Sequence, residues 1–390
     1  MTESDGPAGA VAKAASGVSR AGVIGISVGV LAAGAAAGVA IERLTVGRAT
    51  RRRARAELDA GAPYGSLRGR PRTVAAPDGT ELYVELDGTG WDDAGGAAGP
   101  LTVVFSHGYC LNQDSWHFQR AALLDGLRLV FWDQRSHGRS ERSRSYLAGE
   151  PASIDQLGGD LKAVIDAVAP TGPLVLVGHS MGGMTVMALA DQHPELFRER
   201  VAGVALVGTL AGNWDQVSLG LPSAGAKLFK RVAPGVVKLL GRQVELVEAT
   251  RRFGSDVAAV FYRKFSFGSK DVDPGVVRFA EQLLDATPID VVAEFYPVFG
   301  AHEKTAALAA LRGLPALVLA GTKDLLTPPA HSEAMAEQLP GAELVIVEGA
   351  GHLVMLERPE LVDHHLAALL RRAAAFGGAA EPPPSVLDPV

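Results

Sequence analysis

The chain has 390 residues, of which 47% are apolar, 43 are acidic and 37 are basic, giving a net charge of −6. An apolar fraction of this size supports a large buried core, and α/β folds of this length can be built around one sheet. The acidic balance gives no reason to expect a nucleic-acid partner, and the single cysteine, Cys110, excludes an intrachain disulfide framework.

The first predicted element is a hydrophobic helix near the amino terminus. Residues 21–41 carry no charge and consist almost wholly of Gly, Ala, Val, Ile and Leu, in a run long enough to span a bilayer. Arginines cluster behind this run between Arg48 and Arg55, and by the positive-inside bias they place the following domain in the cytoplasm. We therefore predict a disordered segment 1–20, a membrane-associated transmembrane helix 21–41 and a basic linker 42–71.

Two other interpretations of this amino-terminal segment stay open. Ala35-Ala36-Ala37 has the small side chains of a signal-peptidase site, which would make the protein secreted. Residues 21–41 also contain five glycines and only eight Val, Ile or Leu residues, so the free energy of membrane insertion is small. A soluble cytoplasmic protein is therefore the second alternative.

Beyond the linker, short apolar runs alternate with helical periodicity. Residues 73–85 predict a β-hairpin that turns at Pro77-Asp78-Gly79. Further strands are predicted at 101–106, 129–132, 174–177, 201–207, 315–320 and 343–347. Helical patterns occur at 154–168, 181–192, 331–338 and 358–373. This alternation predicts an α/β fold with a mostly parallel, doubly wound sheet and helices on both faces.

The alternation breaks over residues 211–301, which carry helical patterns and no strand pattern. We predict a helical cap here, inserted into a core formed by residues 72–210 and 302–375, and a disordered tail over 376–390. The predicted cap helices are 224–240, 244–253, 258–265 and 275–286. Aromatic residues crowd one part of this insertion, and we expect two of them to line the substrate pocket, ordinary packing onto the sheet being the alternative. These two residues are Phe261 and Phe265.

The most specific motif is Gly178-His179-Ser180-Met181-Gly182, which joins the apolar run 174–177 to a helical pattern. Strand, sharp turn and helix form the context in which such a pentad presents a serine nucleophile. The two glycines flank Ser180 because a β-carbon at either position would collide with the neighbouring strand or helix. Met181 begins the helix, so its amide is expected to point toward a developing oxyanion. We expect His179 to belong to the wall of the substrate site.

A serine nucleophile needs a base that takes its proton and an acid that orients the base. Asp324 follows the predicted strand 315–320, and His352 follows the predicted strand 343–347. Ser180, Asp324 and His352 occur in the chain order that a pentad in this architecture uses. The three residues are therefore the predicted nucleophile, acid and base.

Two further motifs precede the pentad. The predicted strand 101–106 ends in His107-Gly108-Tyr109, and the predicted strand 129–132 runs into Asp133-Gln134-Arg135-Ser136-His137-Gly138-Arg139-Ser140. With these landmarks, residues 73–372 resemble the α/β-hydrolase fold superfamily, in particular its serine esterase or lipase-like branch with a helical cap. The resemblance implies that the amide of Tyr109 is the second oxyanion donor and that the helical insertion is the cap.

Other residues compete for these roles. Asp215 is an alternative acid, because some members of the superfamily use a position just after the sixth strand. His107 and His137 lie in loops beside the predicted site, where hydrogen-bonding or site-wall roles fit better than that of the base. Cys110 is adjacent to Tyr109. Because the chain has no second thiol, we expect Cys110 to be a small apolar packing residue rather than a nucleophile.

These patterns predict a serine hydrolase that cleaves a carboxylic ester, in particular a lipophilic one, through an acyl-enzyme intermediate. Acyl transfer, perhydrolysis and carbon–carbon bond hydrolysis use the same three residues and stay open, as does a catalytically idle binding protein. No metal is expected, because no Cys or His cluster has metal-ligand spacing. No cofactor is expected either, because the strands lack a dinucleotide-binding glycine fingerprint.

Overall fold

The computed structural model describes residue 58 and residues 63–91, 101–124, 126–241 and 263–383. All of these belong to one structural unit, residues 57–390, whereas the unit formed by residues 1–56 lies outside the described part. The predicted transmembrane helix 21–41 therefore lies outside the described residues. Among the described residues, no helix combines the length and the apolar character needed to cross a bilayer.

A single eight-stranded sheet organises the described residues. Its strands are β1 (Arg70–Ala75), β2 (Glu81–Gly88), β3 (Thr102–Ser106), β4 (Arg128–Trp132), β5 (Leu174–His179), β6 (Val201–Val207), β7 (Ala316–Gly321) and β8 (Glu343–Val347). They are arranged in the order β1-β2-β4-β3-β5-β6-β7-β8. The pairs β1–β2 and β2–β4 are antiparallel, and every other neighbouring pair is parallel. The predicted mostly parallel sheet is confirmed.

Helices connect and cover the strands. They are α1 (His117–Leu123), α2 (Arg144–Leu147), α3 (Ile154–Val168), α4 (Met181–Gln192), α5 (Pro194–Glu199), α6 (Ser223–Gly241), α7 (Pro274–Asp285), α8 (Ile289–Phe295), α9 (Val298–Ala301), α10 (Pro329–Gln338), α11 (Val354–Glu357) and α12 (Pro359–Gly377). Short 3₁₀ helices occur at Gln113–Trp116, Trp214–Gln216 and Thr305–Leu311. The sequence patterns miss α1, α2, α5, α8 and α9, because segments this short show too few turns for a periodicity to appear.

Strands β3, β5, β6 and β7 are buried along their whole length, which explains their continuous apolar sequences. Alternate side chains of β3 enter two different cores. Val103 and Phe105 pack in the core under α12, whereas Val104 packs in the core under α3 and α4. Both faces of the sheet are therefore covered by helices, as the alternating pattern predicts.

The segment between β6 and β7 contains α6, α7, α8 and α9 and no strand among its described residues. Its predicted helices 224–240 and 275–286 correspond to α6 and α7. The predicted helix 244–253 lies outside the described residues. The predicted helix 258–265 lies mostly outside them, and residues 263–266 are helical.

Two predicted boundaries differ from the structure. Strand β1 begins at Arg70, inside the segment that the sequence assigns to the basic linker, and pairs with β2 from that residue onward. Helix α12 continues through Gly377, beyond the predicted start of the tail at residue 376. It stops there because Gly378 adopts a left-handed conformation with φ of 63° and donates its amide to the carbonyl of Ala374.

Helix α12 is joined to α1 by one buried polar contact. The side-chain amide of Gln119 donates a hydrogen bond of 2.8 Å to the Asp363 carboxyl group. Burial raises the pKa of Asp363 to about 7, and the nearby Glu360 charge adds to the effect, although the bond from Gln119 opposes it. The folded protein therefore favours the neutral form of this carboxyl group.

We expect Asp363→Asn to make stability less dependent on pH. Because the folded pKa of about 7 lies above the usual value of 3.8, the wild-type contribution of Asp363 to stability falls as pH rises between these values. The variant should be more stable than the wild type by about 2–4 kcal/mol at pH 8, with the difference vanishing near pH 4. Urea unfolding at several pH values measures this, with exposed Asp271→Asn as the control. An equal effect of both substitutions would contradict the prediction.

Candidate active site

Ser180 occupies the sharp turn between β5 and α4. Its backbone has φ of 52° and ψ of −118°, a conformation that is strained for any residue with a side chain. Hydrogen bonds at both the amide and the carbonyl of Ser180 hold this conformation. The Ser180 amide donates to the carbonyl of Val207 at 2.9 Å, and the hydroxyl of Thr209 donates to the Ser180 carbonyl at 2.7 Å.

The turn is also the place where helix α4 comes closest to the sheet. A β-carbon at Gly178 would lie 2.5 Å from the carbonyl oxygen of Gly182. A β-carbon at Gly182 would lie 2.1 Å from the carbonyl oxygen of Ser106 in β3. Both separations are too short for any side chain, so the two flanking glycines permit the close contact between helix and strand.

A continuous series of hydrogen bonds joins Ser180, His352 and Asp324. The Ser180 Oγ lies 3.0 Å from His352 Nε2, and His352 Nδ1 lies 2.8 Å from Asp324 Oδ2. With Asp324 ionised, Nδ1 carries the proton and donates it, which leaves Nε2 free to accept from the serine hydroxyl. The three residues come from loops after β5, β7 and β8, whose carboxyl ends meet at one edge of the parallel sheet.

Asp324 is fixed by its own loop. One of its carboxylate oxygens accepts the amides of Leu326 and Thr327 at 2.8 Å each, and the other accepts the Thr327 hydroxyl at 2.6 Å. Burial acts to raise the pKa of Asp324, but the charge and hydrogen bond of His352 and the bonds from Thr327 outweigh it and lower this pKa. Asp324 is therefore a carboxylate with a fixed orientation toward the imidazole.

Glu357 organises the loop that carries His352, and the sequence analysis does not single it out. Its buried carboxylate accepts the amide of Gly351 at 2.7 Å, next to His352. The same carboxylate accepts the amides of Gly268 at 3.0 Å and Ser269 at 2.7 Å, which lie in the helical insertion. Its only sequence signal is an acidic residue five positions after the histidine, which is too common to be informative.

The loop after β3 approaches Ser180 from the other side. A β-carbon at Gly108 would lie 2.7 Å from His179 Nδ1 and 3.2 Å from the β-carbon of Ser180. The backbone of this loop, including the next residue, Tyr109, therefore lies beside the serine. In the described part of the chain, the amides of Tyr109 and Met181 donate no hydrogen bond to protein.

His179 lies behind the His352 ring. The two ring centres are 4.8 Å apart, and His179 Nε2 donates to the carbonyl oxygen of His352 at 3.0 Å. Burial, together with the neighbouring His352, lowers the pKa of His179 to about 3, so its imidazole is neutral. The ring of His179 packs against that of His352. Because its side chain is fully buried, His179 has no surface exposed to a substrate.

Two other histidines have structural partners. His107 Nδ1 donates to the carbonyl of Gly108 at 2.8 Å, and its Nε2 accepts the amide of Gln134 at 2.9 Å. His137 Nδ1 donates to the carbonyl of Arg135 at 2.9 Å. Burial lowers the pKa of His107 to about 3 and that of His137 to about 4. Neither ring contacts Ser180 through a hydrogen bond in the described structure.

The alternative acid, Asp215, is exposed in a 3₁₀ helix after β6, while the imidazole of His352 is bonded to Asp324. Phe265 is partly buried and packs against an apolar cluster that includes Met181, the residue after the serine. Phe261 lies outside the described residues.

Within the described ranges, no group of three or more His, Cys, Asp or Glu side chains is arranged to hold a metal ion.

The sheet order, the serine turn and the three-residue series together define the class of the protein. A family model of the alpha/beta hydrolase fold matches residues 102–359, which is more than half of the chain. The chain therefore belongs to the α/β-hydrolase family.

Individual relatives carry different activities. The dihydrolipoyllysine-residue acetyltransferase component of an acetoin cleaving system from Cupriavidus necator is 28% identical over 281 residues. That alignment covers 71% of this chain but only 65% of the relative, slightly less than two thirds of its length. A thermophilic esterase from Thermogutta terrifontis is 27% identical, with a TM-score of 0.59 over 78% of this chain and 98% of that one. The enol-lactonase from Burkholderia xenovorans is 25% identical, with a TM-score of 0.60 over 77% and 99%.

We expect Gly182→Ala to disrupt the serine turn. The new β-carbon would meet the Ser106 carbonyl, so α4 must move away from β3, at a cost of about 1–3 kcal/mol or more in the free energy of unfolding. The matched control is Gly159→Ala in α3, whose β-carbon would meet nothing closer than Pro77 at 3.9 Å. That change should stabilise the protein by about 0.5–1 kcal/mol. Urea unfolding of both variants measures the contrast, and a Gly182→Ala protein as stable as the wild type would contradict it.

Proposed function

We propose that this protein is a serine hydrolase that cleaves carboxylic esters through an acyl-enzyme intermediate. The observation that carries the proposal is the series of hydrogen bonds from Ser180 through His352 to Asp324. It supplies, in one place, a hydroxyl nucleophile, a base with a free nitrogen and a fixed carboxylate that orients the base. The likeness to the Thermogutta terrifontis esterase supports the same reaction class.

In the first half of the reaction, Ser180 Oγ attacks the ester carbonyl carbon while His352 Nε2 takes the hydroxyl proton. Asp324 keeps the proton of His352 on Nδ1 and stabilises the imidazolium that forms. The carbonyl oxygen gains negative charge, which the amides of Tyr109 and Met181 stabilise by donating hydrogen bonds. His352 then gives its proton to the leaving alcohol, the carbon–oxygen bond breaks and the acyl group stays on Ser180.

In the second half of the reaction, the alcohol has left and a water molecule attacks the acyl-enzyme. His352 removes a proton from the water, whose oxygen attacks the acyl carbon, and the same two amides stabilise the second oxyanion. Collapse of this intermediate releases the carboxylic acid, and the proton on His352 returns to Ser180. Every group returns to its starting state, so the proposed cycle needs no cofactor.

We propose a lipophilic acyl group as the substrate class. Partly buried side chains pack against the apolar cluster that contains Met181, among them Tyr109, Trp214, Phe265 and Leu326. Such surroundings favour an alkyl or acyl chain over a charged one. Acyl transfer to an alcohol is the second candidate, favoured by the acetyltransferase name of the Cupriavidus necator relative. It is tested by adding an acceptor alcohol and measuring the new ester.

We expect Ser180→Ala to lower the hydrolysis of p-nitrophenyl butyrate and octanoate by about four orders of magnitude or more, because the nucleophile is removed. A fluorophosphonate probe should label the wild type and fail to label this variant. Ser332→Ala, which alters a buried hydroxyl in α10, is the matched control and should keep full activity and labelling. Activity that survives in Ser180→Ala would contradict the proposal, and a preference for butyrate over octanoate would count against a lipophilic substrate.

We also propose, from the sequence alone, that residues 21–41 attach the protein to a membrane. The support is the run of uncharged residues and the arginines that follow it, between Arg48 and Arg55. We expect the full-length protein in the membrane fraction of expressing cells and a variant that lacks residues 1–41 in the supernatant. Extraction by detergent but not by high salt would identify insertion. Recovery of the full-length chain in the supernatant would exclude the anchor.

A further inference from the structure

The side chain of Tyr109 connects the loop after β3 to helix α8 of the insertion. Its hydroxyl donates a hydrogen bond of 2.6 Å to the carbonyl oxygen of Val292, 183 positions further along the chain. The ring packs edge-on against Phe299 with 5.1 Å between the ring centres. Tyr109, whose backbone belongs to the loop beside Ser180, is thus held at the far end of its side chain by the insertion.

Helix α8 is in turn bound to the core through a buried carboxylate. Glu294, which is 2% exposed, accepts hydrogen bonds of 3.0 Å from the Ser136 hydroxyl and from the Arg142 guanidinium. Arg142 also forms an ion pair with Asp290, which lies one turn before Glu294 in α8. Because both acidic residues contact the loop after β4, α8 has a fixed position on the core.

The second proposed oxyanion donor is also tied to this helix. The side chain of Met181 belongs to the same buried apolar cluster as Val291 and Phe295, which form the inner face of α8. Tyr109 therefore contacts α8 through a hydrogen bond, and Met181 shares one apolar cluster with the inner face of this helix. A displacement of α8 would therefore change the surroundings of both residues.

The loop that carries Tyr109 is not held in place by local geometry alone. The next residue, Cys110, has φ of 58°, a left-handed conformation that is unfavourable for a residue with a β-carbon. Such a conformation persists only where surrounding contacts impose it. Within the loop, the Leu111 amide donates to the Gly108 carbonyl at 3.2 Å, and the hydroxyl of Tyr109 adds an anchor outside the loop.

We propose that Tyr109 is a positioning residue. Because its hydroxyl links the loop to α8, the oxyanion site is complete only when this helix is packed on the core. This inference rests on the proposed hydrolase function and adds a role for the insertion beyond covering the substrate. When Glu294 holds α8 on the core, the Val292 carbonyl fixes the Tyr109 ring and thereby its amide. When α8 is displaced, the amide is released and the oxyanion loses a donor.

Tyr109→Phe tests this coupling, because it keeps the ring and the amide and removes only the hydroxyl. Loss of a whole oxyanion donor lowers kcat by about 10²–10³-fold, so a displaced donor should lower kcat by about tenfold, with KM changed less than about twofold. Tyr83→Phe is the matched control, since that hydroxyl also makes a hydrogen bond, to Glu85 at 2.9 Å in β2. Equal behaviour of the two variants would overturn the proposal.

A double-mutant cycle with Glu294→Gln separates coupling from simple destabilisation. If Glu294 acts through Tyr109, Glu294→Gln lowers kcat in the wild type and has a much smaller effect in Tyr109→Phe. Additive losses would overturn the proposal, because they would mean that the two side chains act independently.

Hydrogen exchange gives a readout that does not depend on activity. Glu294→Gln should speed amide exchange in the loop 107–112 of the wild type and cause little further change in Tyr109→Phe. If the wild type shows no hydrolysis that depends on Ser180, the proposed function has failed, and this exchange pattern alone decides whether the coupling exists. Unchanged exchange in the loop 107–112 would overturn it.

Discussion

The close approach of helix α4 to strand β3 is the constraint on which the rest of the structure depends. The main chain at Gly182 lies against the Ser106 carbonyl with no room for a β-carbon, and Ser180, two residues earlier in the same turn, has a positive φ of 52°. The strain of one residue is therefore maintained by the packing of a whole helix on the sheet, which the apolar strands β3 and β5 stabilise.

Buried carboxylates hold the loops and the described part of the insertion in place relative to that turn. Asp324 gathers the amides of its own loop, Glu357 joins the histidine loop to the insertion, and Glu294 seats α8 on the core. Each carboxylate accepts several hydrogen bonds, which offset part of the free energy lost on removing it from water. The loops that carry Asp324 and His352 are consequently held by polar contacts, while the sheet is held together by apolar packing.

Sequence patterns predict the sheet and the helices α3 and α4 closely, because their periodicity is long and uninterrupted. They also place Ser180, Asp324 and His352 at strand ends, since a parallel sheet brings those ends to one edge. They do not identify Glu357 or the bond between Tyr109 and Val292, because these depend on contacts between segments far apart in the chain. His179 illustrates the same limit, since its position in the pentad does not reveal that its ring lies beneath His352.

The two ends of the insertion are hydrogen-bonded to each other, since His302 Nε2 donates to the carbonyl oxygen of Leu210 at 3.1 Å and the Lys304 amide donates to that of Ala211 at 2.6 Å. These bonds hold the entry and exit points of the insertion next to each other. Lengthening or replacing such an excursion changes the entropy of closing it only slowly with chain length. This part of the protein can therefore change extensively in length and sequence, while the register of the strands whose ends carry Ser180, Asp324 and His352 stays the same.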